Sequence, residues 1–323
     1  MDRQKTLNAG SSNGSTSREE MMRFHAIRNL LVAGASAVTL AACGGGGSPA
    51  FIPKAPITPP PPPPPPATAE LGFIVAAAVP DQPFARMGGI VRPDSNQIAG
   101  VSTAQSDQAQ LRYDSASGQY QIQVPAGSSW EKLFYNPDQG NFYTQNNSPF
   151  IRFPESAATG YHYSALSTLF QGPSPVGVYA AGNAFGIPTP AGGVPTSGSA
   201  TYNGSIAGFT TETVSEWGSW GAAQVNGNIA LSFSFGGGTL SGTISPNINT
   251  YALAPLSFTN TVFAPGSTTF SGTFSTALPG ANSFSGQFTG PAAQELIGSF
   301  VFPYTSPANG IVFHATGGFV AKQ

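Results

Sequence analysis

Charge is scarce in this chain. Only 8% of its 323 residues are Asp, Glu, Lys or Arg, against roughly 25% in an ordinary soluble domain. Twelve basic and 14 acidic side chains leave a formal net charge of -2, and no basic block occurs. Nucleic-acid binding needs a basic face, so that class of partner is excluded. A single cysteine excludes any internal disulfide. Of the three histidines, His25 falls in the leader described below, and His162 and His314 remain. Two isolated histidines do not make a metal site. His162 sits between Tyr161 and Tyr163, residue types that can ligate haem, but no haem is expected. There is no His-Glu-x-x-His, no Gly-x-Ser-x-Gly elbow and no phosphate loop. Glu212 and Glu216 are four apart, yet no other functional group lies near them in sequence, so they are not read as an acid–base pair. The chain is not expected to be an enzyme or to hold a resident cofactor.

The one cysteine has a clear setting. Arg23 and Arg28 precede an apolar stretch from Leu30 to Leu40, which has signal-peptide length and is short for a membrane span. Leu40-Ala41-Ala42-Cys43 then reads as a lipobox. Residues 1–42 are expected to be a signal peptide, with the true start at Met21 or Met22. Cleavage before Cys43 and covalent lipid on its thiol would follow, and two or more acyl chains anchor a protein stably. Gly44, rather than Asp, follows the cysteine. By analogy with enterobacterial sorting, the outer membrane is the expected address.

Residues 43–68 read as a tether. Gly44–Gly47 is flexible, and Pro59–Pro66 is an unbroken run of eight prolines. In polyproline II, at ~3.1 Å per residue, that run extends about 25 Å.

Two zones of body follow. Residues 69–173 hold most of the charge of the mature chain and read as short strands. Gln110–Tyr113 and Gln119–Val124 alternate apolar and polar residues on either side of a Gly-containing turn, a hairpin signal. The stretch Trp130–Tyr163 is rich in aromatics and reads mainly as a small β-core, with a ligand-binding aromatic surface as the alternative. From 174 to 323 the only ionisable acidic and basic side chains besides His314 are Glu212, Glu216, Glu295 and Lys322.

In that second zone one pattern recurs: apolar, x, Gly, x, apolar. It occurs as Tyr202-Gly204-Ile206, Val225-Gly227-Ile229, Leu240-Gly242-Ile244, Phe270-Gly272-Phe274, Phe284-Gly286-Phe288 and Leu296-Gly298-Phe300. A spacing of two is the strand period, so each strand carries an apolar face with a central glycine. The other face is Ser, Thr, Asn and Gln. Inward glycines let a strand coil sharply, as a small closed barrel requires, and closure removes the edges a low-charge β protein must avoid. Eight or nine strands between Val176 and Val320 are expected. The overall reading is all-β: a small, filled, eight-stranded antiparallel β-barrel over about 174–323, preceded by a smaller β-rich handle subdomain. A membrane-spanning barrel would need a lipid-facing apolar outer face with aromatic girdles, where this chain has Ser, Thr and Asn.

Two segments resemble a known family. They are Phe185–Pro190 with Thr196–Gly204, and the run Phe284-Ser285-Gly286-Gln287-Phe288-Thr289-Gly290 continuing through Pro291 to Phe300. Both are similar to the barrel of transferrin-binding protein B-like lipoproteins. The resemblance covers roughly 174–323, and residues 69–173 resemble that family's handle more loosely. It implies a barrel with a β-handle on a lipid anchor at the outer membrane. Better-known members hold host proteins such as transferrin, or capture haem or other solutes. This chain has one handle–barrel unit rather than two lobes, which sets it apart from the transferrin receptor.

Within the barrel zone, Thr210–Gly221 stands out. It contains Glu212, Glu216, Trp217 and Trp220. Tryptophan is enriched at binding hot spots, and loops on rigid scaffolds commonly carry function. These four residues are the candidate ligand-binding set, with packing of the indoles over a barrel end as the alternative. The expected function is capture of a protein or small solute at the cell surface. The other class is an envelope-interaction lipoprotein with no dedicated ligand.

Overall fold

The computed structural model describes residues 81–94, 97–103, 109–124, 128–136, 141–144, 150–155, 159–171, 179–213, 222–249 and 251–323. The leader, Cys43 and the tether therefore lie outside the described residues. Among the described residues the fold is built from β-strands, with no α-helix.

Three strands form a small antiparallel sheet in the order given: β3 (Gln110–Asp114), β4 (Gln119–Gln123) and β5 (Glu131–Lys132). The expected hairpin is β3–β4, with Tyr113 opposite Tyr120 across the turn. A second sheet has seven strands. They are β1 (Ala85–Asp94), β2 (Gln97–Ser102), β6 (Phe134–Asn136), β7 (Asn141–Tyr143), β8 (Phe150–Glu155), β9 (Ser164–Gln171) and β10 (Tyr179–Gly186), and the order across the sheet is β2-β1-β10-β9-β8-β7-β6. Between the two sheets lies the handle core. Leu111, Tyr120 and Ile122 of the small sheet are buried with Ile90, Phe142, Ile151, Leu169 and Phe185 of the large one. From the aromatic-rich stretch, Phe142 is buried in this core and Phe153 packs against it.

The barrel strands are β11 (Ser199–Thr213), β12 (Ala222–Ser234), β13 (Thr239–Ile248), β15 (Leu256–Val262), β16 (Thr269–Phe274), β17 (Ser283–Thr289), β18 (Glu295–Thr305) and β19 (Val312–Lys322). A two-residue strand, β14 (Tyr251–Ala252), adds to the end of β13. The eight long strands are all antiparallel neighbours, and β12 pairs with β13 to close the ring. One strand expected within 174–323 lies elsewhere. β10 is hydrogen-bonded between β1 and β9 in the handle sheet, so the ring starts at Ser199. The physical reason is shape: β10 reads Tyr-Ala-Ala-Gly-Asn-Ala-Phe-Gly, and its small residues let one face lie directly against the barrel.

All six glycine-centred motifs face inward. Tyr202, Ile206, Val225, Ile229, Leu240, Ile244, Phe270, Phe274, Phe284, Phe288, Leu296 and Phe300 belong to one buried cluster. Phe233 sits at its hub, with ring centroids 4.9 to 5.5 Å from those of Phe288, Phe263, Phe270 and Tyr202. The glycines make room for these rings. A Cβ on Gly286 would overlap the ring of Phe270, and one on Gly298 the ring of Phe319. A Cβ on Gly272 would lie 2.6 Å from Phe284 Cζ.

The handle sheet covers one side of the ring. Its barrel-facing side carries Gly89, Gly182 and Gly186, and a Cβ at any of them would strike Thr316, the Ala207 carbonyl or Thr289. Strands β18 and β19 are consequently buried on both faces along most of their length.

Candidate functional site at the barrel end

Strand β11 carries its inward parity past the middle of the barrel. Tyr202, Gly204, Ile206, Gly208, Thr210 and Glu212 alternate along it, which brings Glu212 to the inner rim at the strand's end. Its side chain is 7% exposed. A carboxylate so buried requires hydrogen-bond donors, and three hydroxyls supply them. Tyr251 and Tyr304 donate to Oε2 at 2.5 and 2.7 Å. Ser306 donates to Oε1 at 2.7 Å. The Glu212 backbone N–H is held by Thr210 Oγ1 at 2.9 Å. One side chain thus ties together β11, β14, β18 and the turn after β18.

Electrostatics keep the donors protonated. Burial pushes the Tyr304 phenol far above its ordinary range, and the adjacent Glu212 carboxylate adds to the rise. Tyr251 is raised by burial first and then by its bond to Glu212. Ionising either phenol would set two negative charges side by side. Both phenols therefore remain donors, and the arrangement acts as a fastening.

Glu212 was expected beside Trp217 and Trp220 on a binding loop. The structure draws it into the rim instead, where it anchors the start of that connection. Thr213 pairs with Ala222 across the base. Glu216, Trp217 and Trp220 lie outside the described residues. The turn between β18 and β19 leaves from the same end and presents Ile311 (55% exposed) and Val312 (37%). Tyr251, Tyr304 and Ser306 were not foreseen. The extended parity of β11 was the one signal that pointed inward for Glu212.

A second buried carboxylate, Glu295, was also missed as a structural centre. It starts β18 on the outward parity, under the handle. Its Oε1 accepts the His162 backbone N–H at 2.7 Å and its Oε2 that of Tyr163 at 3.0 Å. Burial raises its pKa, and the two backbone bonds partly offset the rise. Opposite Glu295, Lys322 donates to the Thr159 carbonyl at 2.8 Å and stands 4.8 Å over the Tyr161 ring. The His162 side chain is exposed and its neighbour Tyr161 is buried, so the trio is engaged at the handle–barrel junction. His314 is half-buried on the outer face, and its backbone N–H donates to Thr211 Oγ1 at 3.0 Å. Among the described residues no group of His, Cys, Asp or Glu could hold a metal ion.

Residues 194–323 match the family model described as the C-lobe and N-lobe beta barrels of Tf-binding protein B. Over that stretch the barrel of this chain is similar to those of transferrin-binding protein B. Several solved structures of this type are similar to it. Transferrin binding protein B from Haemophilus parasuis Hp5, solved as a single-residue variant, is 16% identical with a TM-score of 0.41, over 74% of this chain and 44% of that one. Intact Ap-TbpB, with N and C lobes, is 16% identical with a TM-score of 0.40, over 74% and 46%. The isotype 1 protein from serogroup B Neisseria meningitidis is 16% identical with a TM-score of 0.38, over 73% and 43%. The chain thus spans less than half the length of these transferrin-binding proteins. No curated protein matches the chain.

Proposed function

We propose that the chain is a surface-exposed lipoprotein of the outer membrane, held by lipid on Cys43, that captures a protein or small solute through the barrel end bearing Trp217 and Trp220. The observation that carries this reading is the match of residues 194–323 to the barrels of a transferrin-binding protein, a protein named for the partner it binds. The lipobox supports the anchor. The fastening of Glu212 supports the choice of surface, because it gives the 214–221 connection a rigid base next to exposed Ile311 and Val312. Rigid bases reduce the ordering cost of binding. Outer-membrane placement and a protein partner both belong to this reading.

Two experiments test it. Labelled palmitate should enter the wild type and not Cys43→Ser, and protease applied to intact cells should remove the handle and barrel. Pull-down from growth medium should then recover a ligand with wild type and lose it with Trp217→Ala/Trp220→Ala, at ~2 kcal/mol or more for each hot-spot residue. A double variant that melts early and loses ligand only in step with unfolding would show that the indoles pack on the barrel and that recognition lies elsewhere.

A further inference from the structure

The outer wall of the barrel, well away from the Glu212 end, carries a cavity of about 410 Å³. A break in the wall forms it. Strands β15 and β16 pair at Thr259–Thr273 and next at Val262–Ser271, so Asn260 and Thr261 together oppose Gly272. Such a bulge disrupts the ladder locally and re-aims a side chain. Asn260 takes the left-handed backbone (φ 46°), which asparagine tolerates better than most residues. Gly272 and Phe284 line its inner side.

Neutral hydrogen-bonding groups form the rim. Asn260 donates its amide to Thr273 Oγ1 at 3.1 Å, and that hydroxyl lies 2.8 Å from Thr259 Oγ1. Ser271, Ser285 and Ser299 stand in register across three adjacent strands, with 3.1 Å between the last two hydroxyls. Thr103, from the handle, completes the lining. Among the described residues no ionisable side chain lines the cavity.

We propose that this cavity is a binding site for a neutral sugar, one hexopyranose unit of a glycan. A charged ligand would meet no countercharge there, and an apolar one would cover hydroxyls without satisfying them. Serine and threonine hydroxyls both donate and accept, which matches the hydroxyls around a pyranose ring. The volume lies within the ~300–1,000 Å³ of small-ligand sites.

The test titrates the full mature protein with methyl glycosides of glucose, galactose and mannose, and with a sialic acid glycoside as the charged comparator. Amide NMR is the readout. At least one neutral glycoside should shift Asn260, Gly272 and Thr273 saturably, in the millimolar range. Asn260→Ala should weaken it by about tenfold, equivalent to about 1.4 kcal/mol. Ser285→Tyr, which fills the groove from outside, should abolish it while the melting temperature holds. Maltohexaose and released neutral N-glycans, run side by side, separate a free polysaccharide from a glycoprotein as the source. The proposal is overturned if no neutral glycoside moves these amides, if the shifts survive Ser285→Tyr, or if the sialoside binds equally well.

Discussion

The two walls of the barrel differ in what lies outside them. The wall of β11, β18 and β19 is covered by the handle, and that of β15, β16 and β17 is open. Inside, both walls carry inward glycines: Gly272, Gly286 and Gly298 make room for rings, and Gly204 and Gly208 let the backbone of β19 come close. Outside, the two differ. The covered wall presents Ala207, Thr316, Gly318 and Val320, and the handle answers with Gly89, Gly182 and Ala184. The open wall presents Ser271, Ser285 and Thr273. One sequence period therefore serves two outer faces, and the second layer alone decides whether those positions need small side chains or polar ones. Apolar burial drives the covered contact, but it works only because backbone can approach backbone.

Substitutions can break or sharpen this contrast. The largest effect is expected on the covered wall: Gly182→Val drives a branched side chain into the Ala207 carbonyl, with neither backbone free to move. It should cost more than about 3 kcal/mol, near the upper end for overpacking, and thermal melts should show the loss. Gly286→Val, on the inner face of the open wall, meets the movable ring of Phe270 and should cost roughly 1–3 kcal/mol.

Glu295→Gln probes the seam between handle and barrel. Its amide cannot accept from both the His162 and Tyr163 N–H groups, so one buried donor is stranded, at about 1–3 kcal/mol. The pH dependence has a definite sign. The folded pKa of Glu295 is raised, so the folded state binds this proton more tightly than the unfolded state does. Folding then gains as pH falls from neutral through the raised pKa toward the ordinary carboxylate value. The wild-type advantage over Glu295→Gln should widen over that window and level off below it. The groups facing Glu295 are His162, whose charge opposes the rise, and Lys322, engaged with Thr159 and Tyr161. Melting curves of the two proteins across pH check this, and a gap that narrows on acidification would contradict it. Smallest of all, Ser285→Val on the open wall gives up one part-buried hydroxyl contact and should change stability by under about 0.5 kcal/mol. A loss there comparable to that of Gly286→Val would mean that inner and outer faces had been exchanged.

These contrasts also mark how far the sequence could be read. The interior was legible because its cause is local: Phe284-Gly286-Phe288 and its five counterparts state their own period. The β3–β4 hairpin was legible for the same reason. The membership of β10 was not, because its run of Ala and Gly is equally suited to either sheet, and its assignment depends on the covered wall some 130 residues later (Gly318 lies against Asn183 and Ala184). Glu212 is an intermediate case. Its parity with Tyr202 and Ile206 was visible, but the Tyr251, Tyr304 and Ser306 hydroxyls that make an inward carboxylate tolerable come from distant turns. Glu295 beside Leu296 was legible as outward, while the backbone N–H groups that receive it belong to the handle.

The seam between β11 and β19 sets Asn203 opposite Lys322, with nearly the whole barrel sequence between them. Contacts of such long sequence separation are slow to form, because loop closure must precede any gain from pairing. The floor on which the handle rests is made of these two strands and β18, so it does not exist until the ring has shut. The expected order of folding is local hairpins first, ring closure next, and docking of the handle last. A probe on the Lys322–Thr159 contact would consequently act as a clock for the completion of the barrel.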